Sequence, residues 1–250
     1  MIDGRWIPLM GYSAPGTAQD QAALREAMEV GYRHLDLSLT DIGMDVEGLI
    51  SGSSLTREEV FVTFTVSADP GLDLDDALDR LGLGHLDLVI MESGPHLLNA
   101  WRVLEGERGR NRTRSVGVAG LLEGEVQELL ARCSFPPVVN RVKCHPHLVR
   151  PSLKGYLDGR GILMAACSPL KGGAMRVDRA MATIGWRQMR TAAQATLRWH
   201  LQRGVLASPV TSRREHMEEN RDILDFCLGE EDMRAIASLD REGEVNRNPD

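Results

Sequence analysis

Short apolar runs and amphipathic helical patterns alternate along the whole chain, and few architectures accept that rhythm. The runs fall near 33–37, 60–66, 86–91, 114–119, 138–144, 162–167 and 205–208, with one more expected near Leu9–Ser13. Most are almost continuously apolar, as parallel strands are when both faces are covered. Between them Asp20–Val30, Asp73–Leu81, Glu123–Cys133, Thr191–Arg203, Ser212–Asp222 and Glu230–Asp240 read as helices. Gly82 and Gly204 stand where two of these should stop, because glycine accepts the left-handed cap conformation. Eight such units in 250 residues predict an α/β chain folded as one (β/α)8 TIM barrel over 1–250. The rival, a doubly wound sheet, would need a Gly-x-Gly-x-x-Gly after an early strand, and none occurs.

Composition narrows the partners. A net charge of −7 and only 4% aromatic residues argue against nucleic acid, which asks for a basic footprint and stacking surfaces. No run of eighteen apolar residues and no charged-then-apolar leader is present, so the expectation is a cytoplasmic protein without a membrane span. The four cysteines, Cys133, Cys144, Cys167 and Cys227, form no Cys-x-x-Cys pair, so they are expected as apolar thiols in or near the core. His145 and His147 lie two apart without a partnering acid, which gives no metal site. A small-molecule substrate is the expected partner, with a protein partner as the other option.

Several segments resemble one known family. Gly31-Tyr32-Arg33-His34-Leu35-Asp36, Asp87-Leu88-Val89-Ile90, Pro137-Val138-Val139-Asn140, Cys167-Ser168-Pro169-Leu170 and Leu197–Gly204 are similar to stretches of the NADPH-dependent aldo-keto reductases. Ile7–Gly11 and the Arg247–Asp250 tail extend the likeness to both ends. The resemblance implies the family barrel, with loops after Asp41 and Glu92 shortened at its mouth. It also implies a catalytic Asp, Tyr, Lys and His, in which the Tyr donates a proton and the Asp holds the Lys. Asp36 matches the Asp, whereas Asp41 or Ile42, Thr65 and Glu92 stand where the other three belong.

The cofactor positions implied by the resemblance differ too. Ala119-Gly120 replaces Ser-Asn, Arg141 replaces a Gln, and Cys167 replaces a ring-stacking Tyr. Pro209-Val210-Thr211 and His216 stand where cations meet the cofactor's 2′-phosphate, while Ser168, Glu219 and Asn220 are remnants of the pattern. Arg213 and Arg214 offer a phosphate contact if the loop shifts.

The resemblance implies that the position of Arg141 faces inward, and strand alternation then turns Lys143 inward too, so with Asp36 and Glu92 the mouth should hold two acids and two bases. Such a cluster marks a functional site, or else fills a closed cavity with ion pairs. The expected reading is a redox-neutral isomerase, cyclase or lyase working without a cofactor. Its catalytic residues are Asp36, Glu92, Arg141 and Lys143, with Asp41, Thr65 and Cys167 against the substrate. Two alternatives stand beside it: a non-catalytic pseudoenzyme, and an atypical reductase that keeps NADPH through altered contacts.

Overall fold

The computed structural model describes residues 1–15, 20–38, 44–69 and 71–241. Eight parallel strands pair in chain order: β1 (Tyr12–Ser13), β2 (His34–Ser38), β3 (Phe61–Val66), β4 (Leu86–Glu92), β5 (Thr113–Ala119), β6 (Val139–Lys143), β7 (Leu163–Cys167) and β8 (Leu206–Ala207). Gly11 N donates to Ala207 O at 2.9 Å and Ala207 N to Leu9 O at 2.8 Å. These bonds join β8 back to the first strand and close the barrel, as the alternating pattern predicts. The helices are α1 (Asp20–Val30), α2 (Val46–Ser51), α3 (Leu74–Leu81), α4 (Leu97–Gly109), α5 (Glu123–Leu130), α6 (Pro151–Asp158), α7 (Arg179–Arg187), α8 (Ala192–Gln202), α9 (Arg214–Arg221) and α10 (Glu230–Ala237).

The period of two along each strand separates two apolar layers. One set of side chains, including Val62, Phe64, Val89, Met91, Val116 and Met164, packs outward against the helices. The other set fills the lumen: Leu88, Ile90, Val139, Ala165 and Leu206, joined by Phe61 and Leu163. Met1, Ile7 and Leu9 pack onto this inner cluster. Continuing the inward register past the apolar layer brings polar residues to the C-terminal end of the strands. Leu88 and Ile90 lead to Glu92, Val139 leads to Arg141 and Lys143, and Ala165 leads to Cys167.

The cysteine expectation needs correcting. Cys144 is buried and Cys133 half-buried, but Cys167 and Cys227 are exposed. His34 has a structural place, its ring between Pro8 O at 3.0 Å and Thr63 Oγ1 at 2.8 Å.

Gly185 lets α7 turn tightly into α8. A Cβ there would lie 2.6 Å from Arg190 O and 2.7 Å from Thr191 O. Because backbone cannot swing aside as a side chain can, Gly185→Ala is expected to destabilise the protein by about 1–3 kcal/mol, read as a lowered urea midpoint.

Candidate active site

One ion pair crosses the mouth. Arg141 on β6 donates through Nη2 to Asp36 Oδ1 on β2 at 2.7 Å, and through Nη1 to Thr65 Oγ1 on β3 at 2.9 Å. In a closed eight-stranded barrel β2 and β6 face each other, so this guanidinium spans the lumen above its apolar filling. Asp36 is 6% exposed, and a carboxylate so deep is tolerable only beside a cation. A guanidinium has five N–H donors, so these two bonds leave others to face upward.

Above the pair lies a cavity of about 320 Å³. It is lined by Thr65, Glu92, Arg141, Lys143 and Cys167, together with Ser93, Ala119, Gly120 and Val142. The structure thus brings together six of the residues expected from sequence, counting Asp36 beneath. Asp41 lies outside the described residues. Lys143 stands beside Cys167 in the β6–β7 register, and Cys167 Sγ is 4.0 Å from Ser168 Oγ. Glu92 is exposed and, like Lys143, carries no ion pair among the described residues. Ser93 was missed, although it follows Glu92 directly and bends with it into the cavity.

The remnant positions lie on α9 and at the end of β7. Arg176, in the segment after β7, donates to Glu219 Oε2 and, at 2.9 Å, to Asn220 Oδ1. Thr191 Oγ1 donates to Glu219 Oε1 at 2.6 Å. Burial acts to raise the Glu219 pKa, but the Thr191 hydroxyl and Arg176 outweigh it and hold the carboxyl below its usual range. Asn220 is fully buried, and its Nδ2 has no partner among the described residues. The α9 N-terminus has no side-chain cap and carries Arg213, Arg214 and His216. Arg176 was not anticipated, since nothing in its local sequence ties it to residues 43 and 44 positions later.

Burial, helped by the charges of Lys171, His147 and Lys143, pushes His145 down to about 4. Burial, helped by Arg203, pushes His200 down to about 3. Both imidazoles are therefore neutral in the folded protein.

Comparison with known proteins places this geometry. The family described as "Aldo/keto reductase family" matches residues 72–241. Glyoxal reductase of Bacillus subtilis (strain 168) is 31% identical over the full chain and 94% of its own length. An aldo-keto reductase enzyme from a Medee basin deep-sea metagenome library superposes with a TM-score of 0.90 at 27% identity, covering 96% of this chain and 94% of that one. An aldo-keto reductase complexed with NADPH superposes at 0.87 with 28% identity, covering 96% of this chain and 86% of that one. The chain belongs to the aldo/keto reductase family.

These findings correct the reading of a redox-neutral isomerase, cyclase or lyase, and of a site without a cofactor. The likeness spans the whole chain alongside a named reductase, and nearly all of it alongside a structure solved with NADPH.

Two outcomes follow. Removing one partner of a buried pair leaves an uncompensated charge, so Asp36→Asn should cost about 3–5 kcal/mol. The double variant Asp36→Asn/Arg141→Met should regain most of it in urea unfolding. Depressed histidine pKa values also set an acid limit: stability is fully present above about 6.5 and falls as pH drops toward 4, where the unfolded chain takes up protons the native state refuses. The slope is at most ~1.4 kcal/mol per pH unit for each histidine, and His145→Asn should flatten it.

Proposed function

We propose that the chain is a nicotinamide-dependent oxidoreductase that reduces a small carbonyl compound at the barrel mouth. One observation carries this reading: in a chain of this family, a fixed guanidinium and the Glu92 carboxyl converge on one cavity at the C-terminal ends of the strands. Active sites of this fold lie at that end.

The residues at the far side of the mouth fit the phosphate and base end of a dinucleotide. Barrels commonly bind phosphate with the loops after their last two strands and a helix N-terminus. Here those elements supply Ser168, Arg176, Arg213, Arg214 and His216, and Asn220 Nδ2 offers a buried donor without a partner among the described residues. Arg176, Arg213, His216 and Asn220 would hold the cofactor. When bound, it supplies the hydride.

The chain's own residues then have separate tasks. Asp36 and Thr65 hold the Arg141 guanidinium still, and its remaining N–H groups stabilise negative charge as it develops on the substrate oxygen. Such preorganised donors are worth more in a partly dry site than in water. Glu92 relays the proton that completes the alcohol. Thr65 and Cys167 line the substrate, and Lys143 stands at the rim beside it.

The test is a fluorescence titration with NADPH followed by turnover of a simple aldehyde. Binding should saturate in the micromolar range. Glu92→Gln should lower kcat by about 10²–10⁴, the usual contribution of a positioned acid or base, with the NADPH affinity unchanged. Absence of NADPH binding at millimolar concentration sinks the reading, and undiminished turnover by Glu92→Gln removes the role given to that residue.

A further inference from the structure

Only three lysines occur among the 29 Lys and Arg residues of this chain: Lys143, Lys154 and Lys171. Lys154 is held by Asp158 at 2.6 Å, on the surface of α6. The other two flank the mouth. Lys143 lines the cavity, in register with Cys167. Lys171 begins the segment after β7, and its N–H donates to Ser168 O at 2.8 Å, which turns that segment back at the strand's end. Its backbone is left-handed, at φ 49°. Neither ammonium has an ion-pair partner among the described residues. Both charges bear on one imidazole: with burial they help hold His145 neutral against the opposing charge of Asp240.

Arg141 is neutralised by Asp36, and the unpaired Glu92 stands across the cavity on β4. In a chain of net charge −7, two cations without an ion pair among the described residues, one at the end of β6 and one just after β7, are a local exception to the overall field. Arginine does the ordinary surface work here, while the compact, point-like ammonium is used where a small anion must approach from varied directions.

We propose that Lys143 and Lys171 receive an acidic group on the carbonyl substrate, a carboxylate or phosphate, so that the enzyme acts on anionic aldehydes in preference to neutral ones. The acidic end lies toward β6 and β7, away from Glu92, with the carbonyl over Arg141. This assignment rests on the reductase reading above and specifies its substrate class.

The paired probes are succinic semialdehyde and butanal, alike in length and different in charge. The expected kcat/KM ratio favours the acid by about tenfold. It should shrink to within threefold in Lys143→Ala/Lys171→Ala and in 0.5 M NaCl, since exposed charges are screened. Lys171→Ala alone should lower the ratio and leave butanal turnover as in the parent. A ratio near one in the parent protein overturns the proposal. So does a tenfold weaker NADPH affinity in Lys171→Ala at an unchanged ratio, because the lysines would then serve the cofactor's phosphates. If neither aldehyde turns over, calorimetry with succinate against succinamide decides the point. Succinate binding that disappears in the double lysine variant upholds the anion site while the reductase reading falls, and equal binding of the two ligands overturns it.

Discussion

The mouth of this barrel is organised by the contact between Asp36 and Arg141. Strands on opposite walls cannot bond to each other, so whatever fixes the lumen's upper layer must be a side chain long enough to cross it. Arginine has that reach, and its planar fork can grip two acceptors at once. Bonded to Asp36 and Thr65, it ties β2, β3 and β6 together. It also sets a floor below which the lumen is apolar and above which it is charged. Every other mouth residue is placed relative to that floor, Glu92 and Lys143 standing around it and Cys167 at its edge.

The pair also explains why a charged layer is tolerable so close to the core. Leu88, Ile90 and Val139 fill the level beneath, and an isolated carboxylate against them would be costly. Asp36 has its cation, and Arg141 has a second acceptor in Thr65, so neither is stranded. What stays unpaired stands higher, at Glu92 and Lys143, where solvent reaches. Glu92 and Lys143 at the rim and Asn220 Nδ2 on α9 are places where a ligand would supply a partner, while buried atoms such as Trp101 Nε1 and Tyr156 Oη also lack one among the described residues. Elsewhere, Asp87 shows the ordinary alternative: buried, it is met by Arg57 at 2.8 Å, Val62 N at 2.9 Å and Arg114 at 3.4 Å.

Sequence periodicity carried the barrel well. Continuous apolar runs mark parallel strands, and the family resemblance at Arg141 together with a repeat of two along 138–144 turns Arg141 and Lys143 inward. Four helices escaped that reading, the first being α2, whose six residues are too few to show a helical period. In α4 the apolar face of Ala100, Trp101 and Leu104 is interrupted by Gly106 and by a buried Glu107. α6 begins at Pro151 after a left-handed Arg150, without a polar cap to announce it. α7 does have the Asp178 cap, but it follows two left-handed glycines that read as loop. Long-range pairings were beyond reach altogether. Which acid Arg141 would choose depends on barrel closure, and Arg176 meets α9 only because the β7 and β8 loops are neighbours in space.

The same limit explains why substitutions at the mouth were misjudged from sequence. Taken position by position, Thr65 where the resemblance implies a lysine reads as a missing cation. In three dimensions a cation is there, contributed from β6, bonded both to the Asp meant to hold it and to the residue standing in its place. Asp36 constrains the mouth to contain positive charge within hydrogen-bond reach, but it does not constrain the strand that delivers it. A barrel whose inward residues meet at one level can pass that duty between walls without changing its fold. Counting replaced positions therefore overstates chemical change, because it scores the strand and not the charge at the point where the substrate oxygen would lie.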